Sequence, residues 1–307
     1  MEITFSHPSQ IPGRIDAAFQ SEINRLLEKN SDDVLEGKIV SPGDIITDDE
    51  AFMRGFGTYK DGEVIRSSVA GSVSVLNKLI TASSFRGRYN GEIGDVVVAR
   101  ITEVSQKRWK VDVNSRQDAT ILLSSVILPG GVQRRKSESD ELKMRHFLSE
   151  GDLIVAEVQT INSENGLGLH TRSTKYGKLR NGQLVKVPSL LVQRSRSHFL
   201  VLSCGVSVIL GLNGYIWVSK CINTESEQIT EDMIFSSKNE EITDVERESV
   251  VRVANCVRAL CVASAPINET NISYAYDASL PYETKDLLNT QTAYSVAKEA
   301  LANSSMV

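Results

Sequence analysis

The chain has 307 residues, 41% of them apolar, and 34 basic against 39 acidic side chains give a net charge of −5. That length can bury two or three cores without a disulfide or metal staple. No apolar run approaches the roughly 20 residues of a membrane span, and residues 1–10 lack the basic-then-apolar layout of a signal peptide, so no membrane partner and a cytosolic or nuclear address are expected.

Residues 14–29 place Ile15, Ala18, Phe19, Ile23, Leu26 and Leu27 on one stripe at spacings of three and four, which predicts an amphipathic docking helix. An acidic linker to Gly37 closes an N-terminal segment, 1–37. From Lys38 the texture is β. Turn signals at Pro42-Gly43-Asp44, Gly55-Phe56-Gly57 and Asp61-Gly62 separate short apolar runs, which predicts a small β domain over 38–82 with a scaffold role.

Residues 83–173 space five strands around one insertion. The strands are 96–104, 107–113, 119–123, 153–161 and 167–170, and the basic and polar insertion is 134–148. This is the pattern of a five-stranded OB-type barrel, a fold that often carries single-stranded nucleic acid on one face. Residues 174–265 then mix strand and helix. Asn213-Gly214 sets a hairpin between apolar runs, and Thr243 with Glu246 makes a capping box ahead of a stripe of Val250, Val253, Ala254, Val257, Leu260 and Cys261. The order βααββα of a type I KH domain is expected there. Residues 266–307 read as a peripheral docking element or a partly disordered tail, with a last helix from Pro281 to about Ala302. The fold class is thus mainly β with α+β parts.

Charge distribution says more than its sum. Between residues 86 and 196 there are 19 basic and 12 acidic residues, so a basic middle is flanked by acidic ends. Lys107, Arg108, Trp109 and Lys110 fall at the hairpin joining the first two barrel strands, offering cations to phosphates and an aromatic plane to a base. The strand period of two equally allows Trp109 to point inward with Val111 and Val113. Arg86, Arg88 and Tyr89 precede the barrel, and Arg134 and Arg135 begin its insertion. Together these nine residues are the candidate RNA contacts. Gly211-Leu212-Asn213-Gly214 mimics the clamping loop of KH domains but lies between strands, so hairpin geometry explains it. The clamp position, residues 193–196, has no glycine. Arg194 and Arg196 could attract phosphate there, but close backbone approach is lost and the KH unit is expected to be mainly structural.

Catalytic motifs are not found. His7, His146, His170 and His198 stand apart from acidic partners in the sequence, and no nucleophile elbow, P-loop or close acidic set occurs. Cys204, Cys221, Cys256 and Cys261 lack metal-ligand spacing and read as core thiols, so neither a metal nor a cofactor is expected.

Several ordered phrases go further. They include Arg54-Gly55-Phe56-Gly57-Thr58-Tyr59, Lys107-Arg108-Trp109-Lys110-Val111-Asp112, Arg116-Gln117-Asp118-Ala119, Leu128-Pro129-Gly130-Gly131 and Gly211-Leu212-Asn213-Gly214-Tyr215-Ile216-Trp217-Val218. Over about residues 38–263 the chain resembles the eukaryotic RNA exosome cap-subunit family called ribosomal RNA-processing protein four. Its sister cap family, ribosomal RNA-processing protein forty, shares the domain order but fits the Arg-Gln-Asp-Ala and Leu-Pro-Gly-Gly phrases less well. The resemblance implies a small N-terminal β domain, an OB fold of the ribosomal-protein-S-one type, and a KH domain whose signature turn maps to Gly211, Asn213 and Gly214. It implies a non-catalytic subunit that sits with other cap subunits on a ring of RNase PH-like subunits. Such a subunit feeds single-stranded RNA, 3′ end first, to associated exoribonucleases for processing and decay of rRNA, mRNA and other RNAs. Nucleus, nucleolus and cytoplasm are the implied locations. A stand-alone translation-linked RNA-binding protein and a ribonuclease in its own right are the alternatives.

Overall fold

A computed structural model describes residues 37–85, 87–126, 138–162, 166–173, 175–221, 239 and 241–304. The helix expected over 14–29 lies outside them. The chain divides into two compact units, 1–87 and 88–307.

In the first unit, turn chemistry sets the strands. Strands β1 (Ile39–Val40), β2 (Ile45–Thr47), β3 (Met53–Arg54), β4 (Thr58–Asp61), β5 (Val64–Ser67), β6 (Gly71–Leu76) and β7 (Leu79–Ser84) form two small sheets, ordered β2-β5-β4 and β1-β6-β7-β3. Gly62 takes φ 66° between β4 and β5, the left-handed conformation that the Asp-Gly signal anticipates. Val40, Ile46, Ile65, Val73, Ile80 and Ala82 close one core between the sheets. Met53, Phe56 and Leu76 remain largely exposed, a dense apolar surface for so small a unit.

The second unit is built on a closed barrel. Strands β8 (Val96–Ser105), β9 (Arg108–Asp112), β10 (Ala119–Val126), β11 (Leu153–Asn162) and β12 (Gly166–Thr171) pair in the circuit β8-β9-β10-β12-β11-β8. All pairings are antiparallel except β10 with β12, which is parallel and closes the barrel. Every strand overlaps its sequence-expected position because alternation and bounding turns are local signals. Two short helices, α1 (Glu138–Leu142) and α2 (Met144–Phe147), occupy the described part of the insertion, and β13 (Gly177–Lys178) adds to β11.

An antiparallel sheet follows, ordered β14 (Gly182–Lys186), β17 (Tyr215–Lys220), β16 (Val206–Leu210) and β15 (Phe199–Val201). Its two faces are both covered. Ile209, Tyr215 and Trp217 pack on Val96, Val98 and Val155 of the barrel wall. Val208, Leu210, Ile216 and Val218 turn to the main core shared with α3 (Asp244–Val262). Helix α3 starts at the expected capping box: the Thr243 N–H donates to Glu246 Oε2 at 2.9 Å and the Glu246 N–H to Thr243 Oγ1 at 3.4 Å.

Two expectations need correction. The order βααββα is not realised: the connection from β14 to β15 holds a single 3₁₀ turn, Ser189–Leu191, and the α-helices described beyond residue 174 follow the sheet. Pro188 begins that connection without an N–H to donate, and extended residues behind it are tied down, with the Gln193 N–H bonded to Ile267 O at 3.2 Å. The second correction concerns the tail. Helices α4 (Glu269–Ser279) and α5 (Thr290–Ser304) bury Ile272, Ala275, Val296, Ala297 and Ala300 in the main core, and Pro281 lies between them rather than in a first turn. Among the thiols, Cys256 is buried and burial pushes its pKa up to about 11, while Cys204, Cys221 and Cys261 are half-buried.

Candidate nucleic-acid interface

Strand β9 sorts its side chains by parity. Trp109 and Val111 enter the barrel with no exposed surface, so Arg108 and Lys110 must point to solvent. Lys107, at φ 59° in the β8–β9 hairpin, stands beside them. Arg108 and Lys110 line one face with Thr120, which is opposite Lys110, and Leu122, which is opposite Arg108 in the β9–β10 register, and Lys107 adjoins it in the hairpin. A shallow groove runs along this face, bounded by Glu103, Ser105, Arg108, Lys110, Gln117, Asp118 and Thr120.

Carboxylates share this face. Lys110 Nζ lies 3.5 Å from Asp118 Oδ2, and Lys107 Nζ lies 3.1 Å from Glu141 Oε1 of α1. Arg108 forms no ion pair among the described residues. The face can therefore attract a polyanion through Arg108 directly, and through the lysines at the expense of their carboxylate partners.

Of the two readings of Trp109, the structure realises the inward one, and Tyr89 is not free to contact RNA through its ring. Trp109 fills the barrel interior and its Nε1–H donates to Leu148 O at 3.1 Å, leaving no ring face for a base. Tyr89 is buried too, and its hydroxyl donates to Asp95 Oδ2 at 2.6 Å; burial and then that carboxylate push its pKa well above the ordinary tyrosine value. Arg88 is exposed but sits at the other end of β9 from Lys107, since neighbouring Tyr89 bridges to Ser115. Arg86, Arg134 and Arg135 lie outside the described residues. The structure thus brings Lys107, Arg108 and Lys110 together and sets Arg88 apart. The sequence reading overlooked Leu122, Thr120, Asp118 and Glu141 on the same face. Outward parity of the third strand could have exposed the first two, but the acids require the hairpin register and the placement of α1.

At the KH clamp position Arg194 is already engaged. Its guanidinium is 2.9 Å from Glu92 Oε2 and 2.9 Å from Asp95 Oδ1, a carboxylate almost wholly buried, which ties the loop to the barrel rather than to a phosphate. Arg196 remains exposed. The signature turn is a second tie. Asn213 is fully buried, and its Nδ2 donates to Val98 O at 2.7 Å and Val113 O at 3.0 Å. Asn114 Nδ2 returns a bond to Asn213 O at 3.1 Å. A Cβ at Gly214, where φ is 84°, would collide with the Val187 carbonyl.

Among the described histidines, His170 has an acidic neighbour that spacing did not reveal: its Nε2 is 4.0 Å from Glu157 Oε2, which accepts from the Tyr176 hydroxyl at 2.7 Å. Among the described residues no group of three His, Cys, Asp or Glu is placed to hold a metal ion. No helix among them is long and apolar enough to cross a membrane.

Residues 88–160 match the family described as "RRP4, S1 domain", residues 182–221 match "KH domain", and residues 39–76 match "Exosome complex exonuclease RRP4 N-terminal region". The protein "Exosome complex component RRP4" of Bos taurus is 50% identical over 261 residues, covering 85% of this chain and 88% of that one. The chain belongs to the RRP4 family. Its Schizosaccharomyces pombe member is 45% identical over 279 residues (88% of this chain, 85% of that one), and its Saccharomyces cerevisiae member 39% over 321 residues (94% and 88%). The three matches fall on separate parts of the fold of this RRP4-family chain. Residues 39–76 cover β1 to β6, residues 88–160 cover β8 to most of β11 of the barrel, and residues 182–221 cover the whole four-stranded sheet with its Gly211-Leu212-Asn213-Gly214 turn. Helices α3 to α5 lie beyond the KH match, so the layer that covers the outer face of that sheet comes from chain outside the matched segment.

Proposed function

We propose that this RRP4-family chain is a non-catalytic, RNA-binding cap subunit of the RNA exosome. It holds single-stranded RNA on the outer face of its barrel and guides it, 3′ end first, toward ribonuclease subunits for processing and decay. The observation that carries this reading is the line of Lys107, Arg108 and Lys110 on a closed barrel whose Trp109 points inward. Such a face reads phosphate rather than base, as a guide for many RNAs requires. The relatives named exosome complex components support membership of the assembly. The exposed Met53, Phe56 and Leu76 of the first unit favour docking on neighbouring RNase PH-like ring subunits and other cap subunits. Residence in nucleus, nucleolus and cytoplasm belongs to the same proposal, and fractionation with an antibody to the native chain tests it.

The deciding experiment titrates the assembled complex with single-stranded RNA over a salt series, comparing the parent with K107A/R108A/K110A. Each phosphate contact contributes about 0.7 to the slope of log affinity against log salt for a single strand, so the triple variant is expected to bind more weakly at low salt with a slope flatter by up to about 2. Unchanged affinity and slope would sink the assignment. The reading as a ribonuclease, which the word "exonuclease" in one matching description keeps in view, is tested with the purified chain, labelled RNA and Mg²⁺. Intact RNA is expected; processive shortening abolished by one substitution overturns the non-catalytic reading.

A further inference from the structure

We infer that Asp118 and Glu141 are tuning residues of the RNA face: each holds a lysine in an ion pair that an incoming phosphate has to displace, so the strand is gripped loosely enough to move. This rests on the proposed RNA-guiding face and says how that face is regulated. The two acids reach it from unrelated places. Asp118 lies in the β9–β10 turn, on the diagonal of the β9–β10 ladder from Lys110. Glu141 comes from α1, in the insertion between β10 and β11, and meets Lys107 at the hairpin. Glu103 adds a third carboxylate, directly opposite Lys110 in the β8–β9 register.

Both ion pairs lie outside the barrel core. Lys107 and Lys110 keep 69% and 49% of their side chains exposed, and Glu141 and Asp118 keep 34% and 40%, so both pairs are wet and exchange readily. Pairs of this kind add little to folding. Their effect falls on what else the lysine could bind. A phosphate approaching Lys110 replaces Asp118 as partner and meets its repulsion, so the attraction is partly cancelled along the line except at Arg108. A conduit requires that compromise, because a site that binds too tightly cannot release. Direct phosphate contacts without such compensation would arrest the strand that the subunit has to pass on.

The test uses the full chain in its assembled complex and a fluorescently labelled oligouridylate. Substituting D118N/E141Q is expected to tighten binding about 1.4- to fivefold per acid, the span of exposed ion-pair strengths, with slower dissociation and a steeper salt dependence. A control, E50Q/E63Q, removes the same charge from exposed positions in the first unit and is expected to leave affinity near the parent's. K107A/R108A/K110A is measured alongside. If that triple variant binds like the parent, the RNA face itself is wrong. If the triple variant is weakened while D118N/E141Q binds no tighter than the charge control, the tuning role alone is overturned. Melting temperatures of both double variants, expected to match the parent's, keep a folding defect from passing for either result.

Discussion

Removing the Asn213 side chain is the sharpest test of how the barrel and the KH sheet are joined. The last register pair between β8 and β9 is Arg100 with Asp112, so Val98 has no β9 partner. The Asn213 amide takes that place, donating to Val98 O at 2.7 Å and Val113 O at 3.0 Å while its Oδ1 faces the Val98 N–H at 3.4 Å. In N213A both carbonyls stay buried without these donors, and each orphaned group costs about 1–3 kcal/mol. The long Val98 N–H contact adds little, so a loss of about 2–5 kcal/mol is expected. For a unit of some 200 residues that corresponds to a fall in melting temperature of roughly 5–15 °C. Calorimetry of the full chain measures the fall. Trp217, wedged in the same seam and only 6% exposed, offers a local reporter by fluorescence. N213D keeps one acceptor, loses both donors and buries a charge, so it should be at least as damaging. An N213A protein melting within about 1 °C of the parent, the range of an inconsequential surface change, would refute the idea that this turn latches the two sheets.

Three further outcomes follow from the same structure. Trp109→Ala empties the barrel centre and should cost about 3–5 kcal/mol in urea denaturation, whereas Arg108→Ala should leave stability within about 0.5 kcal/mol while weakening RNA binding. Arg252→Ala removes two bonds, both 2.8 Å, from its guanidinium to Ser279 O and Tyr282 O. It should destabilise the chain by about 2–4 kcal/mol and open the stretch between α4 and α5 to limited proteolysis. Asp152 loses solvation by burial, yet bonds from Lys178 at 2.7 Å and from Ser149 outweigh that loss and hold its pKa below the usual 3.8. A carboxyl depressed on folding contributes stability that is present above its unfolded value and lost as pH falls through the folded one. Stability should therefore drop as pH falls below about 4, and Asp152→Asn should flatten that limb of a pH series of denaturant melts.

Much of this protein is readable from local chemistry alone. The five barrel strands, the Asp61-Gly62 and Asn213-Gly214 turns and the start of α3 at Thr243 follow from periodicities and caps that act within a few residues. The same alternation that puts Val111 inward offered the correct parity for Trp109, but an isolated strand cannot say that the inward side is a closed barrel with a waiting carbonyl at Leu148. The basic character of β9 was likewise visible. That Lys110 meets Asp118 and Lys107 meets Glu141 was not, because those partners depend on hairpin register and on an insertion folding back. Arg194 shows the limit most clearly: beside Ser195 and Arg196 it looks free for phosphate, yet Asp95, some hundred residues earlier, claims it. Helix α4 and the burial of α5 were not legible for a related reason, since the buried face of α5 is mostly Ala and that of α4 mixes Ala with Asn271 and Ser279, and both become a core stripe only once α3 supplies the opposing surface. Residue types and spacing determined the elements and the chemistry on offer; tertiary packing decided which charges stay unpaired and which rings lose their faces, because both depend on neighbours that are distant in the chain.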